Sequence, residues 1–586
     1  MAGELEGCVE ETSCGMNLRQ LRERVRQYID NHQYESAVFW ADKAVSLSNG
    51  VVEDIYWYAQ ALYLTGQYHR ASHLLRSRKL DKTHAECRYL AARCHYECKE
   101  WQLALNIINL SDQNSNQTKI FLNKSLNQST NMSELSMSTQ NMESCINLLR
   151  GKIYEAMDNR ILATDYYRMA LNQDIYCFEA FDRLVAHHML SAEEEKELLE
   201  SLPFNHQCPE EERDLVKFLY ENRLKKYNKP GQLDIPNQLE AFTTNLDVEV
   251  NLAERHYYNC DFIRCYNITH SVLKKDPYNS LCLPLHIAVL VELKKSNELF
   301  YLSHKLVDLY PTKPVAWFSV GCYYLLINNY EPARRYLTKA TTLDRMYGPA
   351  WLAYGHSFAV DQEHDQAMAA YFTASQLMKG CHLPVLYIGL EYGLTNNSKL
   401  AERFFSQALT IAPEDPFVLH EMGVIAFQNQ DYTTAEQYFL DALEKVRCVS
   451  NQITIEKWET LHNNLAHTCR KLKKYKEALE YHEYALTLCP HTPSTYSAIG
   501  YVYVLMGQSL KAVDYFHKAL GIRRDDSFST TMLQQVLDVL IAETVPFGDI
   551  PNDVPSLELV DCPSNHPKFS MSSDTDEVDM DGSSDG

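Results

Sequence analysis

The sequence predicts an all-α superhelical solenoid, and three observations carry that expectation. The first is a small residue on a fixed beat. Ala333, Ala367, Ala401 and Ala435 stand 34 residues apart, and Ala478 and Ala512 repeat the interval after an insertion. The second is the company each alanine keeps: in the last copy Tyr496, Ile499, Gly500, Tyr503, Phe516 and Ala519. The third is punctuation. Pro277, Pro311, Pro413 and Pro490 each follow the recurring position by twelve residues, where a helix must end because proline lacks an N–H and clashes with the preceding turn.

A 34-residue period with this pattern marks the tetratricopeptide repeat, a helix–turn–helix unit. With Gly500 at position eight and Ala512 at position twenty, the copies follow in order. The N-terminal half gives Val25 with Ala37, Ala59 with Ala71, Ala92 with Ala104, and Gly151 with Ala163. The C-terminal half gives Ala253 with Cys265, Ile287 with Leu299, Gly321 with Ala333, Gly355 with Ala367, Gly389 with Ala401, Gly423 with Ala435, Ala466 with Ala478, and Gly500 with Ala512. An insertion around Cys448 to Lys457 separates the last two from the rest. Between Ala170 and Leu246 the pattern blurs, and the spacing leaves room for two degenerate repeats, for about 12–14 in all. Small residues at eight and twenty let the two helices of a repeat cross closely. Large ones at four, eleven and twenty-four (Trp317, Trp351, Tyr324, Phe405, Phe439) fill the remaining space.

This beat divides the chain into an N-terminal extension (1–15) expected to be disordered, N-terminal repeats (16–110), and an Asn/Ser-rich insertion (111–142) too poor in apolar residues to pack. Middle repeats (143–245), C-terminal repeats (246–525), a capping helix (526–545) and a disordered acidic tail (546–586) complete it. Serines beside acids in the tail are candidate phosphorylation sites.

The formal charge of −22 argues against a nucleic acid as main partner. The acidic start, Met1 to Glu10, has no basic-then-apolar secretory pattern, and no apolar run of membrane-spanning length occurs. The 17 cysteines are scattered and expected to be reduced core residues. Cys87, Cys94, His95 and Cys98 form the densest potential metal cluster, but lack the paired short spacings of a zinc module. His462 and His467 are five apart with no Glu after the first, unlike a metalloprotease helix, and the neighbours His187 and His188 point apart on a helix. Neither a phosphate-binding glycine loop nor a nucleophile elbow occurs. The expectation is a chain without catalytic residues, metal or cofactor.

The solenoid itself offers the site. Positions two, five, nine and twelve of the first helix in each repeat should line a concave groove. In the C-terminal copies these are Leu352, His356, Leu386, Leu390, Phe417, His420, Val424, Phe427, Asn463, His467, Arg470, Ser497 and Tyr501. Apolar residues mixed with Asn, His and Arg suit an extended peptide, whose backbone needs hydrogen bonds and whose side chains need pockets.

The stretch Gly348 to Phe417, with LAERHYYNCDF (Leu252 to Phe262), NELFYLSHKLVDLYP (Asn297 to Pro311) and QYHRASHLLRSRKLDK (Gln67 to Lys82), closely resembles the cell division cycle protein 16 family, tetratricopeptide subunits of the anaphase-promoting complex. The resemblance covers roughly Met16 to Met532. It implies a non-catalytic scaffold in a ubiquitin ligase that marks mitotic regulators. It implies a homodimer through about Leu18 to Leu110 and a groove within about Val315 to Tyr503 that encloses the N-terminal segment of the small subunit cell division cycle protein 26. It also implies residence in nucleus and cytoplasm, with spindle and centrosome as further sites. Two other readings stand beside it, the first still a binding module and the second of a different class. A chaperone-linked adaptor would have fewer repeats and a more basic groove. An enzyme with repeats attached would need a catalytic domain of about 200 residues outside the array.

Overall fold

The computed structural model of this chain describes residues 17–118, 139–224, 242, 244–413, 415–449 and 458–543. The expected N-terminal extension and acidic tail lie outside the described residues. So does most of the Asn/Ser insertion, but its two ends, 111–118 and 139–142, are helical. Once a helix is nucleated, each added residue gains a hydrogen bond for one fixed backbone unit, so polar residues can prolong it.

Among the described residues every regular element is a helix, and the chain divides into two compact units, Met1–Tyr220 and Glu221–Gly586. The first unit begins with the pairs α1 (Leu18–Asp30) and α2 (Tyr34–Leu47), then α3 (Val52–Leu64) and α4 (Tyr68–Ser77). The short α5 (Leu80–Thr83) leads to α6 (Ala85–Glu97) and α7 (Trp101–Thr118), then α8 (Thr139–Ala156) and α9 (Arg160–Gln173). The region where the repeat blurs holds α10 (Phe178–Ala186), α11 (Ala192–Ser201), α12 (Phe204–Gln207) and α13 (Glu210–Leu224), and the division between units falls within α13. There α11 starts at a full capping box, with Ser191 and Glu194 satisfying each other's backbone N–H.

The second unit is a run of regular pairs: α14 (Leu246–Tyr258) with α15 (Phe262–Lys275), α16 (Cys282–Glu292) with α17 (Ser296–Leu309), and α18 (Pro314–Leu326) with α19 (Tyr330–Leu343). Then come α20 (Gly348–Ala359) with α21 (His364–Leu377), α22 (Leu383–Leu394) with α23 (Ser398–Ile411), and α24 (Pro416–Gln428) with α25 (Tyr432–Val449). The last pairs are α26 (Glu459–Lys471) with α27 (Tyr475–Leu488) and α28 (Pro493–Leu505) with α29 (Ser509–Ile522), and α30 (Ser527–Glu543) follows alone.

Two rules of the repeat are visible in atoms. All twelve position-twenty residues, from Ala37 to Ala512 and including Cys265 and Leu299, have no exposed surface. Position eight is shaped by position twenty-four of its own repeat. A Cβ added at Gly389, Gly423 or Gly500 would lie 2.5, 2.6 or 2.9 Å from the ring of Phe405, Phe439 or Phe516. In most copies where position eight is Ala or larger, position twenty-four is smaller than an aromatic: Ala59 goes with Leu75, Ala92 with Ile108, Ile287 with Ser303, and Val25 with Ala41, whereas Ala466 goes with His482. A close-packed crossing favours such trade-offs between the two positions, although Gly321 with Leu337 and Ala253 with Thr269 depart from a constant sum.

The turn between the two helices of each pair is also a repeated device. Position fifteen has positive φ in all twelve copies, yet only Gly66 and Gly507 are glycine. The others include Lys99, Cys260, Lys294, Gln362 and Lys473. Its own N–H and the next return to the helix in the pattern that ends helices, as in Asn328 N to Leu325 O at 3.0 Å and Asn329 N to Tyr324 O at 2.9 Å. Position eleven of the first helix stacks its ring on position twenty-three of the second: Tyr154 on Tyr166, Tyr324 on Tyr336, Tyr392 on Phe404, and Tyr503 on Tyr515, at 5.3 to 5.5 Å between centroids.

Candidate peptide-binding groove

In the second unit the first helices of successive repeats touch one another, as α22 does α24, α24 does α26 and α26 does α28. They form one continuous wall, and the groove candidates sit on it. The apolar ones are packing residues. Leu386 and Leu390 belong to the cluster around Phe405 and Met422, and Leu352 to the one around Phe358 and Tyr371. Phe417, Val424 and Phe427 join the cluster around Phe439 and Leu465, where Phe417 stacks on Trp458.

The polar candidates form a hydrogen-bonded layer. Asn464 Nδ2 donates to His420 Nε2 at 3.0 Å, which leaves the proton on Nδ1 to reach Glu421 Oε1 at 2.9 Å. Asn463 Nδ2 donates to Glu459 at 2.7 Å and Thr495 at 3.0 Å, and its Oδ1 accepts from His482 Nδ1 at 3.0 Å. Asn463 is thus engaged within the wall, with little left for a ligand. Ser497 meets Ser529 Oγ at 2.6 Å and Asp526 at 3.0 Å, tying α28 to the start of α30. The Arg470 guanidinium lies 5.0 Å from the centre of the Tyr501 ring.

Three histidines here are held neutral. His482 is fully buried with Nε2 unpartnered, and its ring stands 5.0 Å from that of His467, whose Nδ1 is also buried without a partner. Burial, then the charges of Arg470 and Lys471, push His467 down to about 3, and burial beside His467 and Arg470 pushes His482 well below the usual imidazole value. His356, against Tyr387 at 4.3 Å and bonded to the Tyr371 hydroxyl at 2.8 Å, is lowered by burial to about 4. A neutral imidazole can both donate and accept, so this wall offers partners to peptide N–H and C=O groups without a charge of its own.

Sequence reasoning missed His482, Asn464, Glu459 and Thr495. His482 was readable: it occupies position twenty-four, filled by Phe405, Phe439 and Phe516 in neighbouring copies. Asn464 and Thr495 lie between the four positions assigned to the groove, and Glu459 lies just before the first of them.

The cysteine-rich cluster is otherwise occupied. His95 bonds Ser72 Oγ at 2.7 Å and Glu100 at 2.6 Å, and burial pushes the Cys87 and Cys94 thiols up to about 12. His187 meets the buried carboxylate of Glu155 at 2.7 Å, where Tyr167 also donates at 2.6 Å. Among the described residues Glu436, Cys469 and Glu477 have metal-ligand proximity, but Lys474 Nζ sits 2.5 Å from Glu436. No helix among these residues is long and apolar enough to cross a membrane.

Comparison with known proteins decides the family. The chain is 63% identical over 531 residues to the human "Cell division cycle protein 16 homolog", covering 90% of this chain and 86% of the relative. It is 40% identical over 535 residues to "Anaphase-promoting complex subunit 6" of Arabidopsis thaliana, covering 89% and 96%. The chain belongs to the cell division cycle protein 16 family. The crystal structure of the "APC/C hetero-tetramer Cut9-Hcn1" matches with a TM-score of 0.75 and 32% identity, over 89% of this chain and 96% of that one. A family model for anaphase-promoting complex (cyclosome) subunit 3 matches residues 30–109, and tetratricopeptide repeat models match 314–345 and 459–525. Family members are non-catalytic repeat subunits of that complex, and this chain has their fold.

Proposed function

We propose that the chain is a scaffold subunit of the anaphase-promoting complex. In this reading it carries no reaction and holds other subunits in place while the ligase ubiquitinates mitotic regulators. The observation that carries it is identity of 63% spread over 90% of the chain, which includes the helices of both units. The wall of α20 to α28 is the proposed seat of an extended segment from a small helical subunit, cell division cycle protein 26. The neutral His356 and His467, the Arg470–Tyr501 pair and the Phe417–Trp458 stack support that assignment, as does the hetero-tetramer that Cut9 forms with Hcn1. The repeats within Leu18 to Leu110 are the proposed homodimer surface. There Phe39 is left 55% exposed with the Lys43 ammonium 5.2 Å from its ring centre, and a hetero-tetramer of two named components leaves room for a pair of Cut9 chains.

Affinity purification from mitotic extract with mass spectrometry tests the scaffold role. The other ligase subunits co-purify if it holds, and their absence refutes it. Imaging of a tagged chain through mitosis tests the proposed nuclear, cytoplasmic, spindle and centrosomal residence.

A further inference from the structure

In a repeat stack each unit touches only its neighbours. Among the described residues, the second unit breaks that rule at the α14–α15 turn. Tyr258, the last residue of α14, lies edge-on to His382 at the start of α22, with ring centroids 6.2 Å apart, and packs in the cluster of Met378, Cys381 and Ala374. Two residues on, Cys260 sits in the left-handed turn at φ 62° and brings its Sγ to 4.0 Å from Asp415 Oδ1 at the start of α24. Cys260 also packs on the apolar cluster of α24 to α28. His382 Nε2 and Asp415 Oδ2 pair at 2.5 Å, with both side chains buried, so the two landing points are bound to each other. Asp415 further accepts the Phe417 N–H at 2.9 Å as the cap of α24. Beside them desolvation, with the charges of Glu292 and Tyr387, raises the half-buried Tyr257 hydroxyl well above its usual value.

The first pair of the unit therefore reaches helices four and five repeats further along. We propose that the α14–α15 turn is a latch, formed by Tyr258 and Cys260 on the His382–Asp415 pair, that closes the curved stack on itself and seals the α22–α24 end of the inner wall. Opening it gives a bound segment access to Tyr387 and, through it, to His356. The latch does not depend on what the groove holds.

Native thiols report its opening. Cys381 is 2% exposed beneath Tyr258, whereas Cys322 and Cys469 are buried in other clusters of the same unit. In the full chain, alkylation by N-ethylmaleimide is followed residue by residue with mass spectrometry. Tyr258→Ala speeds modification of Cys381 by roughly tenfold, because local opening becomes cheaper than global unfolding. Cys260→Ala gives a smaller change in the same direction, and Tyr258→Phe, which keeps the ring on His382, stays closer to the parent than Tyr258→Ala does. Cys322 keeps its parental rate in all three, and Cys469, whose cluster Cys260 joins, keeps it in the two Tyr258 variants. An unchanged Cys381 rate in both alanine variants overturns the latch. So does equal acceleration of all three thiols, which would make Tyr258 a general stabiliser.

Discussion

At the scale of single residues, the second unit holds polar groups that its packing leaves unanswered. His462 is the plainest. It occupies position four, where other copies carry Trp317, Trp351 or Tyr496. It is buried against Tyr484, and neither ring nitrogen has a partner. Burial, aided by the Arg447 charge, lowers it to about 4 from an ordinary 6.5. The unfolded chain then binds a proton near pH 6.5 that the folded chain refuses until about pH 4, so stability falls as pH drops through that window. At pH 5 this one group costs up to about 2 kcal/mol relative to pH 8. His462→Phe restores the repeat's aromatic, removes an unsatisfied buried N–H, and should raise stability by about 1–2 kcal/mol at neutral pH. The gain grows as the pH approaches 5. Urea melts of parent and variant at pH 8 and pH 5 check this, and an equal difference at both values contradicts the assignment. The neutral His467 and His482 titrate with the same sign, so the variant reduces the acid sensitivity of the unit without abolishing it.

At the scale of elements, the repeat is held by matched volumes and by one turn. The sequence showed where the small residues recur, and the structure shows what they face. Gly389→Ala pushes a methyl into the ring of Phe405 and should cost about 1–3 kcal/mol by overpacking. Adding Phe405→Leu reproduces the Ala59–Leu75 match found in the first unit, and should recover part of the loss. Thermal melts of the single and double variants decide the point, since independent sites would give additive losses. The turn allows a second test. Lys473 is exposed and holds φ 64°, the region that Gly507 occupies at φ 72° in the next repeat. Lys473→Gly relieves a side chain from that conformation and should add about 0.5–1 kcal/mol despite glycine's larger unfolded entropy. A loss on substitution would show that the lysine stem contributes more than its backbone costs. This turn was not legible beforehand, because ten of its twelve residues are not glycine and a pattern search for glycine passes over them.

At the scale of the whole chain, the beat of 34 made the helix pairs and their order legible, because volume matching at a crossing is local and leaves a periodic trace. The groove was legible only as a face. Four positions per repeat located the wall, yet could not tell that Asn463 spends its amide on Glu459, Thr495 and His482 while His467 keeps a nitrogen unpartnered. These bonds run within α26, to α27 of the same repeat and to α28 of the next, so they follow no single repeat rule. Contacts of Tyr258 and Cys260 with α22 and α24 span 124 and 155 residues and leave no periodic trace at all.

The same reasoning sets the ligand test for the groove. His420 and Asn463 both lie in the wall, but their polar atoms are committed to Glu421, Asn464, Glu459, Thr495 and His482. Replacing them with Ala would strip buried partners and mix a stability loss into any change of affinity. His467 is a better probe, with a partly exposed ring and an unpartnered nitrogen; Tyr501, the ring beneath Arg470, is itself buried, so the fold is read beside the affinity. His467→Ala with Tyr501→Ala should weaken binding of a synthetic peptide of the small subunit's N-terminal segment about tenfold or more, as expected when central contacts of an extended segment are truncated. Titration calorimetry reads the affinity, and a melt of the unliganded variant reads the fold. An unchanged affinity in a variant that melts like the parent would move the binding site off this wall while leaving the scaffold role intact, because that role rests on the similarity of the whole chain and not on these two side chains.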